Sequence, residues 1–226
     1  MNILCTICGR KGSKGIKNKN LKLINKKPLI YYTITQAKKS KLFDQIVVST
    51  DDKKIQNKAI EFGAKSWFIR SKKLSHSRAP KIPVIRDNLL RSEKYFSTKF
   101  DYIIDLDISS PLRGILDIKR AFKKFKKNNY DNLFSVNKSK KNPYFNMVEI
   151  SQSRVYISKN KKSFFTRQEL PIVYSLNASI YIWKRNILLK SDNLIGNKTG
   201  IYEMSEQKSI DIDSKFDLKL VKFLMR

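Results

Sequence analysis

Ile3-Leu4-Cys5-Thr6-Ile7-Cys8-Gly9-Arg10-Lys11-Gly12-Ser13-Lys14-Gly15-Ile16, followed by Lys17-Asn18-Lys19-Asn20, is a short apolar run that empties into a loop of glycine and basic residues. A strand ending in such a loop is how many α/β proteins hold phosphate. Glycine lets the backbone turn and bring its N–H groups close to phosphate oxygens. Arg10, Lys11, Lys14 and Lys19 place positive charge in the same loop, which suits a triphosphate. The order of residues narrows the class. A Walker A loop requires G-x-x-x-x-G-K-[ST], whereas this chain has Gly12-Ser13-Lys14-Gly15. The dinucleotide pattern G-x-G-x-x-G fails too, because Gly9, Gly12 and Gly15 are spaced in threes. A flexible basic loop between a strand and a helix remains the plainer alternative.

Outward from the loop, strand and helix signals alternate. A helix is expected from Pro28 and Leu29 to Ala37, a strand over Gln45–Thr50 ending at Asp51-Asp52, and a helix from Lys53 to Phe62 stopped by Gly63. Lys65–Ile69 reads as a strand and Pro83–Tyr95 as a helix. Tyr102–Asp107 is a buried strand, Ile118, Ala121, Phe122 and Phe125 mark a helix face, and Asn132–Val136 is a further strand. This alternation predicts an α/β fold, a Rossmann-like, mostly parallel sheet with helices on both faces. Ligands in such folds sit beyond the carboxyl ends of the strands, where the glycine loop, Asp51-Asp52 and Asp107 fall. The rhythm breaks at Asn142. The Pro- and aromatic-containing segment to Asn177 reads as an antiparallel excursion suited to a dimer surface. The sheet resumes at Ser179–Trp183, and a last helix starts near Ser214. The expectation is one domain over 1–226, with 138–177 as the excursion.

The chain's 226 residues suit one α/β domain, and 41% hydrophobic composition is enough for a core. No apolar run reaches membrane-span length, and the chain enters a strand without a charged leader, so a cytoplasmic protein with no membrane partner is expected. Forty-eight Lys and Arg against 19 Asp and Glu give +29, a charge that usually points to nucleic acid. The lysines are spread along the whole chain, however, and the longest basic stretches, Lys123–Lys127 and Lys138–Lys141, are short. Solvated surface charge and no specific nucleic-acid partner are expected. Cys5 and Cys8 mimic a metal or redox pair, yet three residues apart on a strand they face opposite sides, and His76 is the sole histidine. Reduced core thiols are the expected state.

Ser209-Ile210-Asp211-Ile212-Asp213 places two aspartates at i and i+2. In an extended segment they face one side about 7 Å apart, near enough to hold Mg²⁺ that also binds phosphate oxygens. Helix capping by Asp213 or Ser214, with Asp211 in solvent, is the plainer reading.

With these pieces assembled, the chain resembles the acylneuraminate cytidylyltransferase (CMP-sialic acid synthetase) family nearly end to end. The resemblance is carried by Gly9–Gly15 with Lys19-Asn20, Val48-Ser49-Thr50-Asp51, Ser109-Ser110-Pro111-Leu112-Arg113, Arg167-Gln168, Asn177-Ala178-Ser179-Ile180-Tyr181 and Ser209–Asp213, in that order. It implies CTP as nucleotide donor, a nonulosonic acid as acceptor, Mg²⁺, and a homodimer contacting through the excursion. It further implies that Arg10, Gly12, Ser13, Lys19 and Asn20 lie against triphosphate and ribose, with Arg70 near the nucleotide. Asp211 and Asp213 would hold the metal, with Arg10, Lys19 and Asp211 closest to the chemistry. Arg167, Asp107 and Asn177 would face the sugar. Three departures stand out. Ser77 occupies the position of an aspartate in the base-pocket loop, Asp107 stands in place of glutamine, and Ser175 in place of a second sugar-binding arginine. Pro80–Arg86 and Asn142–Met147 look more like the branch that activates legionaminic acid and related bacterial sugars. Two other readings fit less of the chain. One is a nucleotide-sugar glycosyltransferase using Asp105-Leu106-Asp107; the other is a basic nucleic-acid-binding module.

Overall fold

The computed structural model describes residues 1–13, 15–159 and 166–225, with only the backbone of Arg167. In chain order the elements are β1 (Ile3–Cys8), a small hairpin of β2 (Leu23–Ile24) and β3 (Lys27–Pro28), α1 (Leu29–Ser40), β4 (Gln45–Ser49), α2 (Lys53–Glu61), α3 (Lys81–Phe96) and β5 (Tyr102–Leu106). They continue with α4 (Ile115–Lys127), β6 (Asn132–Lys138), the hairpin β7 (Val148–Ser151) and β8 (Arg154–Ile157), β9 (Tyr174–Lys184), α5 (Arg185–Lys190), β10 (Thr199–Glu203) and α6 (Lys215–Leu224). The main sheet has six strands in the order β10-β6-β9-β5-β1-β4. All neighbours are parallel except β9, which runs antiparallel to both β5 and β6. The α1 crossover makes β1 and β4 parallel neighbours, and the chain returns from the excursion between β6 and β9 in the opposite sense.

Alternation along the strands feeds two cores. One lies under α1, α2, α4 and α6 and contains Cys5, Ile7, Ile104, Leu106, Ile118, Phe125 and Val221. The other lies under α3 and α5 and contains Leu4, Ile103, Phe134, Tyr181 and Trp183, with Cys8 packed against it. The two cysteines are therefore free and on opposite faces, as the spacing predicts. Helix starts follow the sequence signals. Asp52 accepts from Lys54 N and Ile55 N at the head of α2, and Ser214 and Asp217 form a reciprocal cap on α6.

The segment 65–69 departs from the expected strand. It joins β4 only through bridges at Val47–Lys65 and Thr50–Ile69. The side-chain amide of Gln56 donates to the carbonyls of Ser66 and Phe68, so backbone groups that would continue a ladder are satisfied by α2 instead. Residues 185–190 and 199–203, unassigned from sequence, form α5 and β10.

A buried arginine ties the sheet to the segment beyond β5. Arg113, 2% exposed, donates to Ser179 O at 2.6 Å and Asp107 O at 3.2 Å, and to Thr33 Oγ1 and Gln36 Oε1 on α1. Burial pulls its guanidinium down to about 10, against nearby carboxylates including Asp107, which leaves it charged at neutral pH. Elsewhere, Arg185 grips Glu93 with bonds of 2.7 and 2.9 Å and locks α5 to α3. Burial raises the Glu93 carboxyl, but the Arg185 bonds and the Phe100 N–H outweigh it and hold the carboxyl below its ordinary value. A depressed carboxyl contributes stability that is present above its unfolded value and lost as pH falls through its folded value. Glu93→Gln is expected to lower stability at pH 7 by about 1–3 kcal/mol. It should also flatten the loss of stability between about pH 5 and pH 3; denaturant melts across that range check both effects.

Candidate active site

β1 and β5 are parallel neighbours, so their carboxyl ends open on one edge of the sheet and deliver the glycine loop and residues 107–109 side by side. The third component is the extended stretch before α6. It is fixed by Ile212 N donating to Ser109 O at 3.0 Å. Asn20 closes the base of the glycine loop by donating to Arg10 O at 2.9 Å. Lys19 Nζ crosses to the third segment, donating to Ile212 O at 2.7 Å and to Asp213 Oδ1 at 2.9 Å. Gly15 lies so close to that segment that a β-carbon there would sit 1.9 Å from Asp213 O. The result is a cleft of about 480 Å³ lined by Cys8, Gly9, Arg10, Gly12, Ser13, Gly15, Lys19, Asn20, Asp107, Ser109, Asp211 and Asp213.

The acidic side of the cleft is unevenly compensated. Asp107 is held at both oxygens, with Oδ1 accepting from Ser109 N and Oγ and Oδ2 paired with Lys81 at 2.8 Å. Its burial would raise the carboxyl, but Lys81 and Ser109 together hold it far below the carboxylate range. Asp211 differs. Its Oδ1 is buried and has no hydrogen-bond partner. Burial, followed by the charges of Asp107 and Asp213, pushes its carboxyl up, partly offset by Ser109 and Lys19. An orphaned, buried carboxylate oxygen on a residue that lines a phosphate-sized cleft is the donor a hard divalent cation takes. Asp213 can add a second oxygen. Among the described residues no group of three or more His, Cys, Asp or Glu is placed to hold a metal. Two carboxylates completed by substrate phosphates and water are the usual surroundings of Mg²⁺.

Of the residues singled out from sequence, Arg10, Gly12, Ser13, Lys19, Asn20, Asp107, Asp211 and Asp213 meet in this cleft. Among the side chains the structure describes, those of Arg70, Ser77 and Asn177 do not line it. Arg70 is buried and bonds Ser75 Oγ and Ser49 O. Ser77 is exposed in the loop that Arg10 reaches through His76 O at 2.7 Å. Asn177 is buried, accepting from Ser135 Oγ at 2.6 Å and donating to Ser209 Oγ at 2.9 Å, so it ties β9 to the chain leading into Asp211. The side chain of Arg167 lies outside the described residues. Sequence reasoning missed Ser109 and Lys81 as participants. Ser109 stood inside a quoted motif, and Lys81 had one local signal, a lysine at the wrong end of a helix.

The D-x-D alternative finds no free carboxylates. Asp105 is 0% exposed, accepts from Thr6 Oγ1 at 2.7 Å and pairs with Lys81 at 3.1 Å. Lys81 thus occupies the space between Asp105 and Asp107 that a metal would need. No helix among the described residues is long and apolar enough to cross a membrane.

Comparison with known proteins agrees with this fold. A family profile described as cytidylyltransferase matches residues 4–224. A CMP-N,N'-diacetyllegionaminic acid synthase of Campylobacter jejuni is 50% identical over 223 residues, covering 99% of this chain and 94% of the relative. A post-translational flagellin modification protein B of Campylobacter coli is 49% identical over 224 residues, covering 99% and 95%. Among solved structures, a CMP:2-keto-3-deoxy-manno-octonic acid synthetase complexed with CTP superposes with a TM-score of 0.72 at 17% identity, over 100% of this chain and 98% of that one. At that identity the superposition bears on the fold alone.

Proposed function

This chain belongs to the cytidylyltransferase family, and from that premise we propose that it activates a legionaminic-type nonulosonic acid in the cleft at the ends of β1 and β5. It is a nucleotidyltransferase that transfers CMP from CTP to a nonulosonic acid, giving the CMP-sugar and pyrophosphate. The anomeric oxygen attacks the α-phosphorus and forms a new P–O bond. The bond from that phosphorus to the oxygen bridging to the β-phosphate breaks, pyrophosphate leaves with the bridging oxygen, and the hydroxyl proton is released to water. The observation that carries the reading is the meeting of the glycine loop, Lys19 and Asp211 in one cleft, with one Asp211 oxygen buried and without a hydrogen-bond partner. Backbone N–H groups of the loop and the Arg10 and Lys19 cations bind the triphosphate. Asp211 and Asp213 would hold Mg²⁺, which when bound neutralises triphosphate charge and stabilises the leaving pyrophosphate. Asp107 faces the sugar side of the cleft, and Asn177 acts indirectly by holding the chain that leads into Asp211. The roles of Arg70 and Ser77 near the nucleotide and of Arg167 near the sugar rest on the family resemblance alone.

The chain forms one domain in this proposal, with residues 138–177 as an arm that contacts a second copy. The β7–β8 hairpin supports this, since Val148, Ile150, Val155 and Tyr156 are 58, 75, 64 and 45% exposed, an unusual amount of apolar surface for a lone hairpin.

A pyrophosphate-release assay crossing the four nucleotides with a panel of nonulosonic acids tests the proposal. CTP alone is expected to react, and only with an acid present. Pyrophosphate from another nucleotide, or a CMP-sugar consumed as donor, would replace this reading with another transferase. Within the panel, a 5,7-diacetamido acid of the legionaminic type should exceed N-acetylneuraminate in kcat/KM by about tenfold or more, because a mispaired polar group costs about 1–3 kcal/mol. Ser175 offers no guanidinium to a glycerol tail, whereas Asp107 accepts N–H donors. Equal or better use of N-acetylneuraminate would show that neither residue discriminates.

A further inference from the structure

Lys81 is the first residue of α3, and α3 has no acidic residue in its first turn and no side-chain cap. A cation there opposes the helix dipole, so its position needs a separate cause. The cause is visible at its tip. The ammonium lies 2.8 Å from Asp107 and 3.1 Å from Asp105, and 4.3 Å from the centre of the Tyr181 ring. Asp107 lines the nucleotide cleft. Lys81 and Tyr181 line a neighbouring cavity of about 210 Å³ with Ile82, Ile85 and Trp183. The Lys81–Asp107 pair is therefore the partition between the two.

We propose that Lys81 is a positioning residue for the acceptor: it cancels and orients Asp107, so that this carboxylate offers hydrogen-bond acceptance to the sugar without repelling an anionic substrate. The proposal rests on the reading of the cleft as a CMP-transfer site. Three carboxylates, Asp107, Asp211 and Asp213, line a cleft that must admit a triphosphate and a second acid. Lys19 answers Asp213, Asp211 is left for a cation, and Lys81 is the ammonium that answers Asp107. Its bond to Oδ2, with Ser109 on Oδ1, fixes the plane of the Asp107 carboxylate. The one lone pair left on Oδ2 then points in a set direction, which is what selection among N–H and O–H donors requires.

The test is steady-state kinetics of the full chain with CTP and a legionaminic-type acid, using Lys81→Met, Lys81→Arg, and Lys81→Met combined with either Asp107→Asn or Asp105→Asn. Lys81→Met is expected to raise KM for the acid at least about tenfold, since an unpaired buried charge is left behind. KM for CTP should move less than about threefold. Lys81→Arg should recover part of the loss. Asp107→Asn in the Met background should restore most of the acid KM, because of the two charges left uncancelled it removes the one that lines the cleft. Rescue of the acid KM by Asp105→Asn and not by Asp107→Asn, accompanied by rescue of Tm, would assign Lys81 to fold stability and overturn the proposal. An unchanged acid KM in Lys81→Met would overturn it as well. Absence of CTP- and acid-dependent pyrophosphate release from the unmodified protein would overturn the parent reading, and the proposal with it.

Discussion

Asp211→Asn is expected to lower kcat by about a thousandfold while leaving the protein folded. The substitution keeps the shape of the side chain and removes the charge on the oxygen that has no protein partner. Charge stabilisation on a transferring phosphoryl group is the largest single contribution in such chemistry, and losing one aimed group costs about two to three orders of magnitude. Asp213 should matter less. Its side chain is 77% exposed and already shared with Lys19, so Asp213→Asn is expected to cost about tenfold and to raise the Mg²⁺ concentration needed for half-maximal rate. A second signature separates function from fold. Asp211 Oδ1 is a buried carboxylate oxygen without compensation in the free protein, and such groups are destabilising until a ligand arrives. Asp211→Asn should therefore hold or slightly raise Tm as it abolishes turnover. The measurements are a Mg²⁺ titration of kcat and a thermal melt on the same preparations. Near-normal turnover with unchanged Mg²⁺ dependence would remove Asp211 from the reaction, and a Tm drop of several degrees would mark it as structural.

What the sequence made legible, and what it hid, follows the range of the interactions involved. The glycine loop, the cap at Asp52 and the stop at Gly63, with its φ of 86°, are local features, each readable within a few residues. The parallel core strands are also readable, since their apolar runs need no partner to be recognised. β9 was placed but not its direction, because Ser179–Trp183 looks the same in a parallel or an antiparallel strand. Only the route of the excursion decides. β10 was hidden by Gly200, which reads as a loop residue. In the fold, the Tyr130 ring packs so close that a β-carbon at Gly200 would lie 2.3 Å from it. The site divides the same way. Arg10, Lys19 and Asp211 come from motifs, whereas the pairing of Lys81 with Asp107 spans 26 residues and the bond from Asn177 to Ser209 spans 32. From the sequence Asp107 stands out as a replacement for glutamine and not as half of an ion pair, because the cation that pairs with it lies on another element. The left-handed Ala178, with φ of 54°, accompanies a register shift between Phe134 and Val136, so Asn177 turns towards Ser135 and Ser209. No local pattern announces such a bulge.

The three glycines of the loop should separate sharply when each becomes alanine, with Gly15→Ala the most damaging. Neither Gly9 nor Gly12 has positive φ, so space and not backbone strain decides at those two, and at Gly15 the room for a β-carbon is the smallest of the three. At Gly12 a β-carbon would meet nothing within 4 Å; at Gly9 it would lie 2.6 Å from Ile108 Cδ1, the far end of a side chain; at Gly15 it would lie 1.9 Å from the Asp213 carbonyl oxygen. A side-chain tip can rotate away, but a carbonyl fixed in an extended segment cannot yield without moving that segment. Ile212 is anchored to Ser109 O through its N–H and to Lys19 through its carbonyl, so displacement at Asp213 pulls on both. Gly15→Ala is expected to part the loop from residues 211–213, break the Lys19 bonds, and separate the cations proposed to bind phosphate from the carboxylates proposed to hold metal. Displacements near 1 Å in a catalytic arrangement cost about a hundredfold, so kcat/KM for CTP should fall by about a hundredfold or more, with Tm lowered as well. Gly9→Ala should cost about tenfold, after Ile108 repacks. Gly12→Ala should leave Tm unchanged, with any effect confined to KM for CTP, because the added methyl projects into open space beside the substrate. Kinetics and melts on the three variants read the order directly. A Gly12→Ala variant more destabilised than Gly15→Ala would mean that the loop does not rest on the Asp213 backbone, and with it would go the physical reason for placing phosphate-binding and metal-binding residues in one cleft.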